Sequence, residues 1–274
     1  MDRQPGDRRC TEQTCQPFFS RGPTMSSNDL KGKRILVTQA DTFMGPTLCE
    51  VFTEKGAEVI RDNQLLTEPT LPAQLVAAAG SIDVLVINLA IPAPFTKLEK
   101  VDDNEWESVF SAVVNPMPRL VSAVLPQMIE RQSGKILVMG SASALRGMKR
   151  ASTYSAARGA QLAYVQAAGV EMAPHNIQIN AIAQNFVDNP TYFPEETKAN
   201  PAFQDRLKRE VPLGRLVSMR EDAQFAAYLC SDAADCFVGQ VFPVSGGWAQ
   251  LKNEQHGMII SFIDSLSAKV IRCH

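Results

Sequence analysis

From Lys33 onward, short β-branched runs alternate with longer segments of helical spacing. KRILVT predicts a first strand and GPTLCEVFTEKGA a helix closed by Gly56; AEVIRD then reads as a strand, LPAQLVAAAG as a helix, and IDVLVINLA as a third strand with no polar face. The apolar stretch DNEWESVFSAVVNPMPRLVSAVLPQMIERQSG predicts a long helical region, kinked or interrupted at Pro116 and Pro118 because proline lacks an N–H and clashes with the preceding turn. GKILVMGS, IQINAIAQ and GQVFPVSGG complete the strands, with helices expected over about 154–173 and over DAQFAAYLCSDA. Strands without a wet face, separated by helices, predict a doubly wound parallel sheet with helices on both faces, in three α/β/α layers. Ligands of such sheets sit at the carboxyl ends of the strands.

A chain of 274 residues, 45% hydrophobic and 20% charged, is long enough to bury one sizeable core. One catalytic domain is expected over residues 31–250, after a leader at 1–30 and before an extension at 251–274. The leader is polar, holds proline and arginine, and lacks the apolar centre of a secretory signal; Met25 is a plausible true start. A formal charge of -2 leaves no field to gather nucleic acid or anionic lipid, which favours small-molecule chemistry. No run of eighteen apolar residues is seen, so no membrane-spanning helix is expected. Cys10, Cys15, Cys49, Cys230, Cys236 and Cys273 have no metal-ligand spacing and only three histidines to join them, so free thiols in a reducing, cytoplasmic setting and no metal are expected.

The chemistry concentrates in GSASALRGMKRASTYSAAR. A serine, Ser141, ends the fourth strand; Tyr154 follows thirteen residues on and Arg158 lies one helical turn further. Upstream, the turn after the first strand reads Thr38-Gln39-Ala40-Asp41-Thr42-Phe43-Met44-Gly45. Serine, tyrosine and a basic residue at these spacings resemble the short-chain dehydrogenase/reductase superfamily, whose fold is Rossmann-like, over about residues 31–250. Classical members carry lysine in place of Arg158 and a glycine-rich turn in place of Gln39 and Phe43. Those glycines let the backbone approach a pyrophosphate, so the turn here argues against a nicotinamide cofactor. Two more landmarks differ: Asn88-Leu89-Ala90 lacks the usual glycine, and Gln184-Asn185 stands where a Pro-Gly pair is customary.

Thr38, Phe43 and Gly45 together with Ser141, Tyr154 and Arg158 match both halves of the motif of the halohydrin dehalogenases, which this chain resembles. The resemblance implies a cofactor-independent lyase that closes vicinal halohydrins to epoxides and halide, reversible with azide, cyanide or nitrite. Tyr154 is the expected base. Tyrosine ordinarily titrates near pH ~10, and the permanent charge of Arg158 on the same helix face favours the phenolate. Ser141 is expected to hold the substrate oxygen in line. By the same resemblance, Gln184, Asn185, Phe186 and Val187 form the halide nest, the N–H groups of Phe186 and Val187 donating to the anion; Phe43, Tyr192 and Phe193 wall it. Asp62, Asn115 and Trp106 read as structural, and Trp248 as a pocket wall or a subunit contact. The resemblance also implies a homotetramer. Two further functions remain open at this point: an NAD(P)-dependent reductase with an unusual loop, and a non-catalytic interaction protein.

Overall fold

The computed structural model describes residues 29–250. The expectations about the 251–274 extension, Met25, Cys10, Cys15 and Cys273 lie outside the described residues, as does the leader up to residue 28. Its last residue, Leu30, is fully buried against the domain and its N–H donates to Lys55 O.

The elements run β1 (Arg34–Val37), α1 (Gly45–Glu54), β2 (Glu58–Arg61), α2 (Leu71–Ala79), β3 (Val84–Ile87), α3 (Asp103–Val113), α4 (Pro116–Arg131), β4 (Gly134–Ser141), α5 (Ser152–Met172), β5 (Ile177–Gln184), α6 (Glu195–Ala199), α7 (Pro201–Glu210), α8 (Met219–Cys230) and β6 (Val241–Val244). The strands make one parallel sheet in the order β2-β1-β3-β4-β5-β6, a Rossmann-like α/β fold with its crossover between β1 and β3.

Alternation along the strands builds two cores. Leu36, Leu85, Ile136, Val138 and Ile179 meet α2, α4 and α5 through Leu75, Leu120 and Leu162. Ile35, Val37, Val86, Leu137 and Ile182 face the other way, onto Leu48 and Phe52 of α1 and Ala223 and Leu229 of α8. Both faces of every central strand are therefore dry, which is why these segments read as continuous apolar runs.

The long apolar region is two helices, broken at Val114 and Asn115. Asp102 caps α3 through Glu105 N, and Pro116 opens α4, where its missing N–H is no loss. Pro118 falls in the first turn and does not kink it. By length and composition alone the combined stretch Asp103–Arg131 is apolar enough to cross a membrane, but it is two shorter helices. In the fold, α4 turns Met117, Leu120, Val121, Val124 and Met128 into the core, and α3 packs on α5. Among the described residues the cysteines Cys49, Cys230 and Cys236 are free thiols.

Helix α5 carries the tyrosine–arginine pair, and glycines set its depth. A Cβ on Gly169 would stand 2.5 Å from Gly239 Cα and 2.9 Å from Ile179 O. Gly169→Ala is therefore expected to push α5 off the sheet and destabilise the domain by about 2 kcal/mol in urea unfolding. An unchanged unfolding midpoint would contradict this packing.

Candidate active site

The turn after β1 keeps a glycine-like backbone without the glycines. Gln39 and Phe43 have φ of 47° and 49°, a left-handed conformation that costs a side-chain-bearing residue about 1 kcal/mol or more. Hydrogen bonds hold it there. Ala90 N donates to Gln39 Oε1 at 2.9 Å, Asn88 Nδ2 donates to Gln39 O and Thr42 O, and Asn88 N donates to Thr38 Oγ1. Gly45 alone remains obligatory, since a Cβ there would lie 2.3 Å from Gln39 O.

This turn carries side chains where a dinucleotide-binding turn keeps bare backbone. The Gln39 side chain is drawn across to Ala90, and the Phe43 ring lines the cavity 5.8 Å from the Tyr192 ring. Asp62, at the tip of β2, is buried; one carboxylate oxygen accepts from Gln64 Nε2 and the other has no partner. Burial raises its pKa.

Across the sheet edge, β4 delivers Ser141 and α5 delivers Tyr154 and Arg158, all buried at the wall of one cavity of about 740 Å³. Ser141 Oγ lies 3.0 Å from Ser143 Oγ and 3.4 Å from Gln184 O, and accepts from Ser143 N. The Arg158 guanidinium is stacked on the Tyr154 ring, 5.0 Å from its centroid. Its Nη1 donates to Leu89 O, Met139 O and Gln161 Oε1, while its Nε has no acceptor. None of the described carboxylates forms an ion pair with it. A cation 3% exposed, paired only with neutral oxygens, makes this pocket favourable to negative charge.

Tyr192 faces the same spot. Its hydroxyl donates to Ile91 O at 2.8 Å, and burial together with the adjoining Tyr154 hydroxyl pushes its pKa well up, so it stays a neutral phenol. Phe193 stacks on Phe186 and meets Phe203 at a tilt. Phe43, Gln184, Asn185, Phe186, Val187, Tyr192 and Phe193 all line the cavity, and Trp248 joins them with its ring 5.9 Å from that of Phe186.

Of the two N–H donors expected of the nest, one is engaged within the turn itself. Phe186 adopts φ of 52°, the left-handed geometry of a nest, but its N–H donates to Oδ1 of the preceding Asn185 at 2.8 Å. An anion reaching that N–H must displace the amide of Asn185. The Val187 N–H takes no part in the two hydrogen bonds of the Val187–Val217 bridge, which run from Val217 N to Phe186 O and from Asp188 N to Val217 O.

The structure adds residues that the sequence reading missed. Arg146, on the loop between Ser141 and α5, sits 4.8 Å above the Trp248 ring and donates to Trp248 O. Arg206 of α7 lies 5.5 Å from the Phe186 centroid and pairs with Glu210. The Asn200-Pro201 pair was the available signal for α7: Asn200 caps it through Ala202 N and Pro201 occupies its first turn. Asn115 is exposed at the start of α4 and Trp106 is exposed on α3, stacked on Phe110; neither lines the cavity.

Comparison with known proteins agrees with this architecture and divides on the chemistry. Residues 67–249 match a family model described as enoyl-(acyl carrier protein) reductase. The 3-oxoacyl-[acyl-carrier-protein] reductase FabG of Chlamydia trachomatis is 30% identical over 253 residues, covering 80% of this chain and 98% of the relative. A solved structure titled "Dehalogenation enzyme" is 31% identical with a TM-score of 0.75, covering 80% of this chain and 99% of its own. The structure of halohydrin dehalogenase HheC bound to ethyl (2S)-oxiran-2-ylacetate is 27% identical with a TM-score of 0.74, covering 81% of this chain and 99% of its own. With the sheet order, the Ser141–Tyr154 spacing and these matches in hand, the chain belongs to the short-chain dehydrogenase/reductase superfamily.

Proposed function

We propose that this protein is a nicotinamide-independent halohydrin dehalogenase, closing vicinal halohydrins to epoxides and releasing halide. The observation that carries the reading is the buried Arg158, without a carboxylate partner among the described residues, over the Tyr154 ring in a pocket where Phe43 replaces a nucleotide-loop glycine. A reductase needs that turn open; a dehalogenase needs a base, an oxygen-holding hydroxyl and an anion site. The likeness to two dehalogenase structures, one holding an epoxide, supports the same conclusion.

In this reading Tyr154, with the Arg158 guanidinium over its ring, is the base that takes the proton of the substrate hydroxyl. The oxygen, held by Ser141, attacks the neighbouring carbon; the new C–O bond forms as the carbon–halogen bond breaks, and the halide leaves with the bonding pair. Gln184, Asn185, Phe186 and Val187 receive it between the rings of Phe43, Tyr192 and Phe193. These apolar rings favour large, weakly hydrated anions over hydroxide. In reverse, a small anion in the same place opens the epoxide, and Tyr154 returns the proton. The proposed assembly is a homotetramer, measurable by light scattering.

Isotope labelling separates this route from hydrolysis. In water enriched in oxygen-18, the epoxide formed should keep the unlabelled oxygen of the substrate alcohol. Label in the first product would mean that water, and not the neighbouring alkoxide, displaced the halide.

Phe43→Gly tests the wall. Relief of left-handed strain opposes the loss of ring contact and the entropy of glycine, so stability should stay within about 1 kcal/mol. Bromide affinity should fall about tenfold with the lost apolar surface. A variant that binds bromide as well as the wild type would remove Phe43 from the anion site.

A second reading, a nicotinamide-dependent reductase, is favoured by the FabG likeness and by the unpaired oxygen of Asp62 at the tip of β2, where dinucleotide-binding sheets place an acid for the ribose. Fluorescence titration with NADPH distinguishes it: saturable binding supports the reductase, and none is expected.

A further inference from the structure

Beneath the proposed anion pocket lies a buried acid that the mechanism above does not use. Asp222, in the first turns of α8, is 0% exposed. Gln184 Nε2 donates to its Oδ2, and its Oδ1 has no partner among the described residues. Gln184 is the last residue of β5, directly beside Ser141 in the sheet register, and its backbone O lies 3.4 Å from Ser141 Oγ. The chain then turns at once into Asn185, Phe186 and Val187. A fully buried carboxyl is thus separated from the pocket wall by one side chain.

We propose that Asp222 is a positioning residue that anchors Gln184 at the base of the nest and, when ionised, weakens anion binding there and so promotes halide release. The inference rests on the dehalogenase reading above. Among the described residues, no other charge pairs with the carboxyl. On its own helix, Arg220 pairs with Glu54 and Glu50 of α1, and Glu221 with Arg215. Asp188 after β5 pairs with Lys198, and Lys135, at the far end of β4, with Asp235. Arg158 is spent on carbonyl oxygens, and Tyr192 and Cys230 are held neutral by burial.

The sign follows from burial, which raises the Asp222 pKa to about 7 against the single opposing hydrogen bond from Gln184. Below that pH the carboxyl is protonated and an anion meets no repulsion. Above it, a negative charge lies across one side chain from the halide, worth roughly tenfold in affinity at the effective dielectric of a protein interior. Alkaline conditions then favour halide release and ring closure; acidic conditions favour anion uptake and ring opening.

The test is bromide titration by calorimetry at pH 6 and pH 8.5, in a Tyr154→Phe background that removes that hydroxyl. Affinity should weaken about tenfold between the two pH values, and Asp222→Asn, which keeps an acceptor for Gln184, should abolish the difference and bind bromide tightly at both. An equal pH dependence with Asn at 222 overturns the role of Asp222 while leaving the anion site intact. No bromide binding at either pH by a folded protein overturns the dehalogenase reading itself, and this inference with it. Should Asp222→Asn fail to fold, infrared spectroscopy of the Tyr154→Phe protein reads the carboxyl directly. By reciprocity, saturating bromide should raise the pH at which the protonated-carboxyl band disappears by about one pH unit; a midpoint indifferent to bromide refutes the coupling.

Discussion

Replacing Tyr154 by phenylalanine is expected to lower halide release from a vicinal bromoalcohol by about a thousandfold, within the range that a positioned acid–base group contributes. The ring itself is not at stake. Tyr154 is 7% exposed and stacked on Arg158, contacts that phenylalanine keeps, so the unfolding midpoint should move little. Because Tyr192 donates to Ile91 O and is held as a neutral phenol, it is poorly placed to substitute as base. Bromide binding should survive in the variant, since neither the nest nor Arg158 is touched. A Tyr154→Phe protein that releases halide at a tenth of the wild-type rate or faster would remove Tyr154 from the chemistry.

Arg158→Lys is expected to damage both stability and rate. Arginine spans Leu89 O, Met139 O and Gln161 Oε1 from one nitrogen while its plane covers the Tyr154 ring. A lysine ammonium offers no planar face. Buried so deeply, it can also shed its proton, which arginine does not. Loss of the shared hydrogen bonds at a 3% exposed position should cost about 2 kcal/mol in urea unfolding. Halide release should fall about a hundredfold at pH 7. Wild-type activity with lysine at 158 would mean that any cation suffices and that the stacked geometry is incidental.

The sheet was legible because burial on both faces leaves a strong mark: Val84–Ile87 and Gly134–Ser141 are buried throughout and read as strands from composition alone. The break at Val114 and Asn115 was half legible. Pro116 announced a boundary but not whether the chain would kink or restart, since proline suits a first turn as well as it spoils an interior one; Pro126, inside α4, carried no local warning. Helices α6 and α7 went unread because α6 has no buried residue and α7 turns only Phe203 and Leu207 inward. Their cap residues, Pro194 and Asn200, were the better signal.

For the site, the four-residue helical spacing put Tyr154 and Arg158 on one face, while the grouping of Ser141 with them came from the resemblance to the family motif. Contacts between distant segments were illegible. Nothing local says that Asp222 reaches Gln184, that Arg146 lies over Trp248, or that Asn185 takes up the N–H of its neighbour. The left-handed backbone at Gln39 and Phe43 is the instructive case. The sequence suggests a turn that has lost its glycines, whereas the structure retains a glycine-like conformation at both side-chain-bearing residues.

The most direct measurement is halide release from a short vicinal bromoalcohol by the wild-type protein at mildly alkaline pH, with no nicotinamide present and epoxide quantified alongside. The account predicts bromide and epoxide in equal amounts, formed at an undiminished rate after exhaustive removal of nucleotides. A folded protein that forms neither, and instead oxidises NADPH with a carbonyl substrate, would contradict it.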